Sequence, residues 1–438
     1  MMVTKNSVIR DIEFFLPEDW TIKVLGEISD VRDGTHDSPK YLENGYPLIT
    51  SKNLKTNGLD FKNVNFISEE DHYKISERSK VDTGDILFGM IGTLGNPVIV
   101  KEDDGQFSIK NVALIKFNNS ILNNVFLKNL LNSTFIEKIF NRISDGGVQK
   151  FIALGTIRKL PIPLPPLKEQ QKIASILSSV DETIKKTKGI LEQATLVKRG
   201  IMHELFSEGI GNTEYKDSEV GRIPKSWKVV DMGTIFDTID GDRGKNYPNT
   251  NDFIDEGYCL FLDTKNVTKS GFMFDTKKFI SKEKDKMLRN GKLSRNDFVM
   301  TSRGSIGNIA FYSENVPYEN IRINSAMLIL RPYDKDLNFD FWMHLLRGRV
   351  IEKYIRKFKV GSAQPHITKK SFQQLKVSIP SSSKEQQKIS NILNEFDNKI
   401  RNEEENLLYL DSLKRGLMQQ LLTGKVRVPT TESEEVPQ

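Results

Sequence analysis

Two glycine-bearing loops could in principle close backbone N–H groups around an anion. They are Gly89-Met90-Ile91-Gly92-Thr93-Leu94-Gly95 and Arg303-Gly304-Ser305-Ile306-Gly307. Neither is followed by Gly-Lys-Ser/Thr, as a nucleotide phosphate loop requires. Neither fits the Gly-x-Gly-x-x-Gly dinucleotide pattern. Their primary reading is a tight hairpin or bulge needing positive φ, with Arg303 placed to meet a phosphate or a base edge. The acids Asp82-x-x-Asp85 and Glu102-Asp103-Asp104 raise the possibility of a metal-dependent nuclease. Against it, Asp82 has no acidic counterpart in the second half of the chain, and Glu102-Asp103-Asp104-Gly105 reads as a solvated turn. The histidines His36, His72, His203, His344 and His366 form neither His-Glu-x-x-His nor another close metal cluster. No Gly-x-Ser-x-Gly elbow and no Asn-Pro-Pro-Tyr/Phe segment occurs, so the sequence carries the signature of neither a hydrolase nor an adenine methyltransferase.

The elements that hold these residues come from a chain built twice. The segment Glu-Gln-Gln-Lys-Ile occurs at residues 169–173 and again at 385–389, an offset of 216 residues from Glu169 to Glu385. The register persists through 175–184 against 391–400 and keeps Lys198-Arg199-Gly200 aligned with Lys414-Arg415-Gly416. Upstream, Pro17-Glu18-Asp19-Trp20 resembles Pro224-Lys225-Ser226-Trp227, and Asp33-Gly34 echoes Asp240-Gly241. The Gly92–Asn96 stretch recurs at Gly304–Asn308, and Gly146, Gln149 and Ile152 match Gly361, Gln364 and Ile367. Between these landmarks the halves diverge strongly. A scaffold is repeated, while the surface it presents is not.

Residues 17–160 and 224–375 carry short apolar runs broken by Gly, Asn and Pro, the pattern of strands. Helices are expected at 126–140 and 339–358, where apolar residues recur at three- and four-residue spacing. The fold class predicted is α+β: two duplicated domains with a mostly antiparallel or highly twisted sheet, joined by two long antiparallel coiled-coil-like helices. The prolines of 161–166 stop the preceding element and suit a helix start. The apolar stripe follows at Ile173, Leu177, Val180, Ile184, Leu191, Ala194, Val197, Ile201 and Leu205, and again at Ile389, Leu393, Phe396, Ile400, Leu407, Leu410, Leu413, Leu417 and Leu421. This spacing makes a coiled-coil-like seam, interrupted at Thr187 and Glu403. A rod of about 38 residues is roughly 57 Å long and would expose its stripe unless the two rods pair. The alternative is that each helix packs on its own domain. Gly200 and Gly416 cost about 1 kcal/mol each inside a helix. A close helix crossing or a break would account for them. The second proline junction, Ile379-Pro380-Ser381-Ser382-Ser383-Lys384, is degraded and predicts a looser start to the second helix.

Composition bounds the partners. The 438 residues are 37% hydrophobic and 28% charged, which is globular. A net charge of +6 is weak support for a polyanion partner. Cys259 is the single cysteine, so an intrachain disulfide and a multi-Cys zinc site are excluded. No run approaches the roughly 20 apolar residues of a membrane span, and the stretch MMVTKNSVIRDIEFF lacks a signal-peptide core. The expectation is a cytoplasmic chain with no membrane partner.

Four features together, in order and in both halves, carry a resemblance: Ile223-Pro224-Lys225-Ser226-Trp227-Lys228-Val229, Asp33-Gly34-Thr35-His36, the proline run 161–167 with Glu169-Gln170, and Gly361-Ser362-Ala363-Gln364-Pro365 with Ile367. The chain resembles the specificity subunit of Type I restriction-modification systems. The resemblance implies target-recognition domains at 15–160 and 220–375, and conserved helical regions at 166–207 and 382–424. It implies a non-catalytic subunit. The implied partners are double-stranded DNA, two copies of a methyltransferase subunit and restriction/translocase subunits. No cofactor is expected on this chain: S-adenosylmethionine belongs to the methyltransferase, and ATP and Mg to the restriction subunit. The competing readings are a stand-alone DNA-binding adaptor or anti-restriction-like protein, and a structural protein whose helices only oligomerise.

For DNA contacts, Lys52, Lys55, Lys150 and Lys265 stand near shared landmarks and are candidate phosphate anchors. Arg32, Arg243, Arg303, Gln149 and Gln364 can offer directional hydrogen bonds to bases or backbone. Gln149 and Gln364 also suit a scaffold role at the domain–helix junction.

Overall fold

In the computed structural model, residues 16–118, 120–143, 151–359 and 366–429 are described. The chain divides into two compact units, residues 1–189 with 404–438, and residues 190–403. Each unit therefore takes one half of each long helix.

In the first unit the β-branched runs pair as a four-stranded antiparallel sheet, in the order Val31–Asp33, Val112–Ile115, Ile86–Gly89 and Gly95–Ile99. Beside it lies a three-stranded sheet of Asn65–Ile67, Tyr46–Ile49 and Ser108–Ile109, whose last pairing is parallel. The second unit repeats both. Its four strands are Phe236–Asp240, Met327–Pro332, Phe298–Thr301 and Ile309–Phe311, and its three are Phe279–Ile280, Cys259–Leu262 and Ile321–Ile323. The four-stranded sheets are thus wholly antiparallel, and each three-stranded sheet has one antiparallel and one parallel pairing. Central strands such as Val112–Ile115 and Phe298–Thr301 are buried throughout, which is why they read as continuous apolar runs.

Two expectations about element boundaries are corrected. The helix expected over 126–140 is two helices, Asn124–Leu131 and Thr134–Ile143, and that over 339–358 is also two, Phe339–Leu346 and Arg349–Lys359. The apolar spacing runs on across the breaks, but Asn132-Ser133 and Arg347-Gly348 end the first helix of each pair. Ser133 Oγ accepts from the Ile136 N–H at 3.4 Å, a start signal for the next helix. The proline run is also more than a stop: Pro161–Leu164 is itself a strand, paired antiparallel with Thr21–Val24. Proline is tolerated in this two-stranded ribbon because few ladder donors are needed. The degraded second junction forms the same ribbon, Trp227–Asp231 with Lys376–Pro380.

The long helices span Leu167–Ser207 and Ser383–Leu421 without interruption. In the first unit Ile173 and Leu177 join the core of the β domain, together with Met418 and Leu421 from the end of the second helix and Leu422 just past it. In the second unit Leu205 packs in one core with Ile389 and Leu393 from that helix's start. The pairing is therefore antiparallel, and the helices pack on each other and on their own domains at once. Gly200 and Gly416 mark neither a crossing nor a break: both helices run through them, and an added Cβ at either would meet nothing within 4 Å.

Candidate nucleic-acid interface

The repeated sequence landmarks turn out to be joints. Trp20 Nε1 donates to Glu169 Oε2 at 3.0 Å, and Trp227 Nε1 donates to Glu385 Oε1 at 3.2 Å. Glu169 is fully buried and also accepts from Arg427 and the Val428 N–H. Glu385 instead accepts from the Ile210 N–H and Asn212 Nδ2. The adjacent glutamines do matching work: Gln170 Nε2 donates to the Pro165 carbonyl and Gln386 Nε2 to the Pro380 carbonyl, each at 2.9 Å. The Lys-Arg-Gly repeat is explained in part by ion pairs. Lys414 Nζ meets Asp181 Oδ1 at 2.6 Å in the first unit, and Lys198 meets Asp397 in the second. Both residues of each pair are retained at the same repeat positions, a signal in the sequence that periodicity alone does not expose.

Of the stripe residues, Val197 and Leu413 are exposed and so stand off the seam, while the others are buried or half-buried. Ile173, Leu177, Ile184, Leu205, Ile389, Leu393, Leu410 and Leu421 are buried, and Val180, Leu191, Ile201, Phe396, Ile400, Leu407 and Leu417 are half-buried. Thr187, at the break in the stripe, is buried as well.

On each unit a group of loops gathers at one end of the four-stranded sheet. In the first, Gly34 presses so closely on the Ile109 backbone that a Cβ would lie 2.2 Å from its carbonyl oxygen. Gly241 stands in the same relation to Asn324 O. No side chain fits there, which accounts for the repeated Asp-Gly. Asp33 is buried and bonded to Arg78 and to His36 Nε2, the latter at 2.8 Å. His36 Nδ1 faces Asn111 Oδ1 at 2.9 Å. These hydrogen bonds, to Asn111 and then Asp33, raise the imidazole above its ordinary pKa. Ser51 Oγ donates to the Asn111 carbonyl, and Asn96 Nδ2 to the Leu54 carbonyl, tying the 51–55 and 89–96 loops into the group. The second unit repeats the last tie, with Asn308 Nδ2 on the Val267 carbonyl.

Lys52, Lys55 and Lys265 sit exposed on these loops, without an ion pair among the described residues. Arg303 is exposed at its loop tip, held through its backbone N–H on Ala326 O. Arg243 is exposed and bonded to Asp240 and the Ser325 carbonyl. Arg32 points elsewhere: it pairs with Asp30 at 2.6 Å and bonds the Arg78 carbonyl. Gln149, Lys150 and Gln364 lie outside the described residues.

The acidic motifs have partners within the fold. Asp85 Oδ2 accepts from the Asp82 N–H at 2.8 Å, and Asp297 Oδ2 from the Ser294 N–H at 2.7 Å, closing the turn before each central strand. Lys116 Nζ bonds both Asp82 and Asp85. Lys116 and then Lys80 hold the Asp82 carboxyl below its ordinary range. Among the described residues no group of three or more His, Cys, Asp or Glu is placed to hold a metal ion. No helix among them is long and apolar enough to cross a membrane. Burial pushes the Cys259 thiol up to about 12, which makes it a poor nucleophile.

The sequence matches the model of the Type I restriction modification DNA specificity domain twice, over residues 17–196 and 224–410. It is 26% identical over 432 residues to the Type I restriction enzyme MjaVIII specificity subunit of Methanocaldococcus jannaschii, covering 94% of each chain. The fold is similar to that of a chain solved in work on complex assembly and conformational transition of the type I R-M system. There the TM-score is 0.60 at 17% identity, covering 94% of this chain and 100% of that one. It is also similar to the type I restriction-modification S subunit from M. genitalium, with a TM-score of 0.53 at 18% identity and coverage of 92% and 96%. With two copies of the domain spanning most of its length, the chain belongs to the Type I restriction-modification DNA specificity family and is a specificity subunit.

Proposed function

We propose that each unit reads one half of an asymmetric split DNA target, and that the paired helices fix the spacer between the halves. The observation that carries this is the contrast within one chain: the joints and turns are the same in both halves, while the loop side chains differ. Two different readers on one repeated scaffold suit a bipartite, asymmetric target. In this reading residues 15–160 and 220–375 are the target-recognition domains, and 166–207 and 382–424 the conserved helical regions. Lys52, Lys55, Lys150 and Lys265 anchor phosphates. Arg243, Arg303, Gln149 and Gln364 approach bases or backbone. Arg32 serves only if its pair with Asp30 opens.

As a non-catalytic reader, the chain directs other subunits to the target. Two methyltransferase subunits supply S-adenosylmethionine-dependent chemistry, and restriction/translocase subunits supply ATP- and Mg-dependent chemistry, in the cytoplasm. Exposed apolar residues on the helices support such docking: Leu196 and Val197 on the second unit, Leu408, Tyr409 and Leu413 on the first. The test is co-expression with the neighbouring methyltransferase gene product, followed by purification. A stable complex of two methyltransferase chains per specificity chain that methylates adenine in duplex DNA is expected. A chain that purifies alone and binds DNA unaided would support the adaptor reading instead.

A further inference from the structure

The loop tip after each central strand is held beside a neighbouring segment by the same backbone contact. In the first unit the Ile152 N–H donates to the Met90 carbonyl at 2.9 Å, and in the second the Ile367 N–H donates to the Ser302 carbonyl at 3.1 Å. Ile152 and Ile367 are both buried and anchor the segment. One residue earlier, Phe151 bridges Ile91 in the first unit, and His366 Nδ1 faces the Ser302 carbonyl, beside Arg303, in the second. The backbone frame is thus constant, and the pair it carries is Ile91 with Phe151 in one unit and exposed Arg303 with half-buried His366 in the other.

Neither pair belongs to a hydrophobic core. Ile91 and Phe151 are 40% and 52% exposed and lie outside both hydrophobic cores of their unit. The Arg303 guanidinium has no partner among the described residues, whereas Arg295, Arg322 and Arg331 of the same unit are bonded to carbonyls or carboxylates. The tips stand clear of the domain, since a Cβ at Gly92 or at Gly304 would meet nothing within 4 Å. An apolar pair on a backbone-bridged edge suits the thymine methyl group, which is the apolar feature of the major groove. A free guanidinium suits the O6/N7 edge of guanine.

Resting on the two-reader proposal above, we infer that these matched pairs are specificity determinants of unlike chemistry: Ile91 and Phe151 read an A·T pair through the thymine methyl, and Arg303 with His366 reads a G·C pair through guanine. The residues at the constant backbone position set which base pair each unit prefers there.

The test uses the assembled methyltransferase complex. The split motif of the unmodified complex is mapped first; if no split motif appears, the two-reader reading fails before this one is reached. Arg303→Ala is then expected to relax one G·C position in one half-site, losing roughly tenfold or more of its discrimination, with the other half unchanged. Phe151→Ala and Ile91→Ala are expected to relax one A·T position in the opposite half. Oligonucleotide probes check the chemistry. Uracil in place of that thymine should weaken the unmodified complex several-fold and leave Phe151→Ala indifferent; 7-deazaguanine should do the same for Arg303→Ala. Thermal melts confirm that the variants fold, and Ile91→Ala stands in if Phe151→Ala does not. Uniform weakening on all sequences with a shallower salt dependence would make Arg303 a phosphate anchor and overturn the inference. So would an unchanged motif in the variants.

Discussion

Four hydrogen bonds converge on the Glu169 carboxylate. It accepts from Trp20, Arg427 and a backbone N–H while wholly buried, and Asp19 completes the pairing of Arg427. Glu169 and Asp19 raise the Arg427 guanidinium above its usual range, so the charge stays on. Removing a partner from a buried, hydrogen-bonded charge leaves the others unsatisfied. Glu169→Ala is expected to destabilise the protein by about 3 kcal/mol in urea denaturation. Glu385→Ala should cost less, because Glu385 is half-exposed and faces neutral donors. Histidine burial sets a second expectation. His344 is buried against Asn394, with Asp397, Lys198 and Asp340 around it, and burial lowers its pKa from the ordinary value. His72, buried against Ser108 and stacked on Tyr46, is lowered for the same reason. The unfolded chain takes up these protons near pH 6.5 and the folded chain only below that, so stability is expected to fall as pH drops below about 6.5. His36 acts in the opposite sense: its raised pKa favours folding at low pH, and that contribution is lost as pH rises through the raised value. Its exposure keeps that contribution small. His344→Asn, which installs the residue found at the matching Asn129, should flatten the fall in melting temperature between pH 7 and 5.5. An undiminished fall would remove His344 from the account.

Element by element, legibility followed periodicity. The long helices and their seam could be read because three–four spacing is a local property that persists for 41 and 39 residues. The strands could be read because buried central strands are short and apolar. The breaks at 132–133 and 347–348 could not, because apolar spacing continues through them and only cap chemistry marks the stop. The Trp–Glu joint is present in the sequence as two repeated motifs, 149 residues apart in the first half and 158 in the second, but nothing local says that they meet. For the interface, Lys52, Lys55 and Lys265 stand exposed on the loop group and Lys150 lies outside the described residues, whereas Asp30 draws Arg32 away. The inner glycines of the helices remain a cost without a return in the fold. Gly200→Ala and Gly416→Ala are each expected to stabilise the free chain by about 1 kcal/mol, measured by thermal or urea denaturation. Destabilisation would mean that the positions are sterically constrained.

For the whole molecule, the proposed function puts two different readers on one repeated frame. Helix length then becomes a variable of recognition. Inserting four residues into each long helix adds about 6 Å, close to two base pairs of B-DNA at about 3.4 Å each. The expected outcome is a spacer longer by about two pairs with both half-site sequences unchanged. An unaltered spacer would separate the helices from spacing altogether.

Single-molecule methylation mapping, after co-expression with the methyltransferase subunit in a methylation-free host, reads the split target and its gap in one experiment. N6-methyladenine is expected in one split, asymmetric motif with a constant gap. A contiguous motif, or no modification from a complex shown to be assembled and supplied with S-adenosylmethionine, would contradict the two-reader proposal.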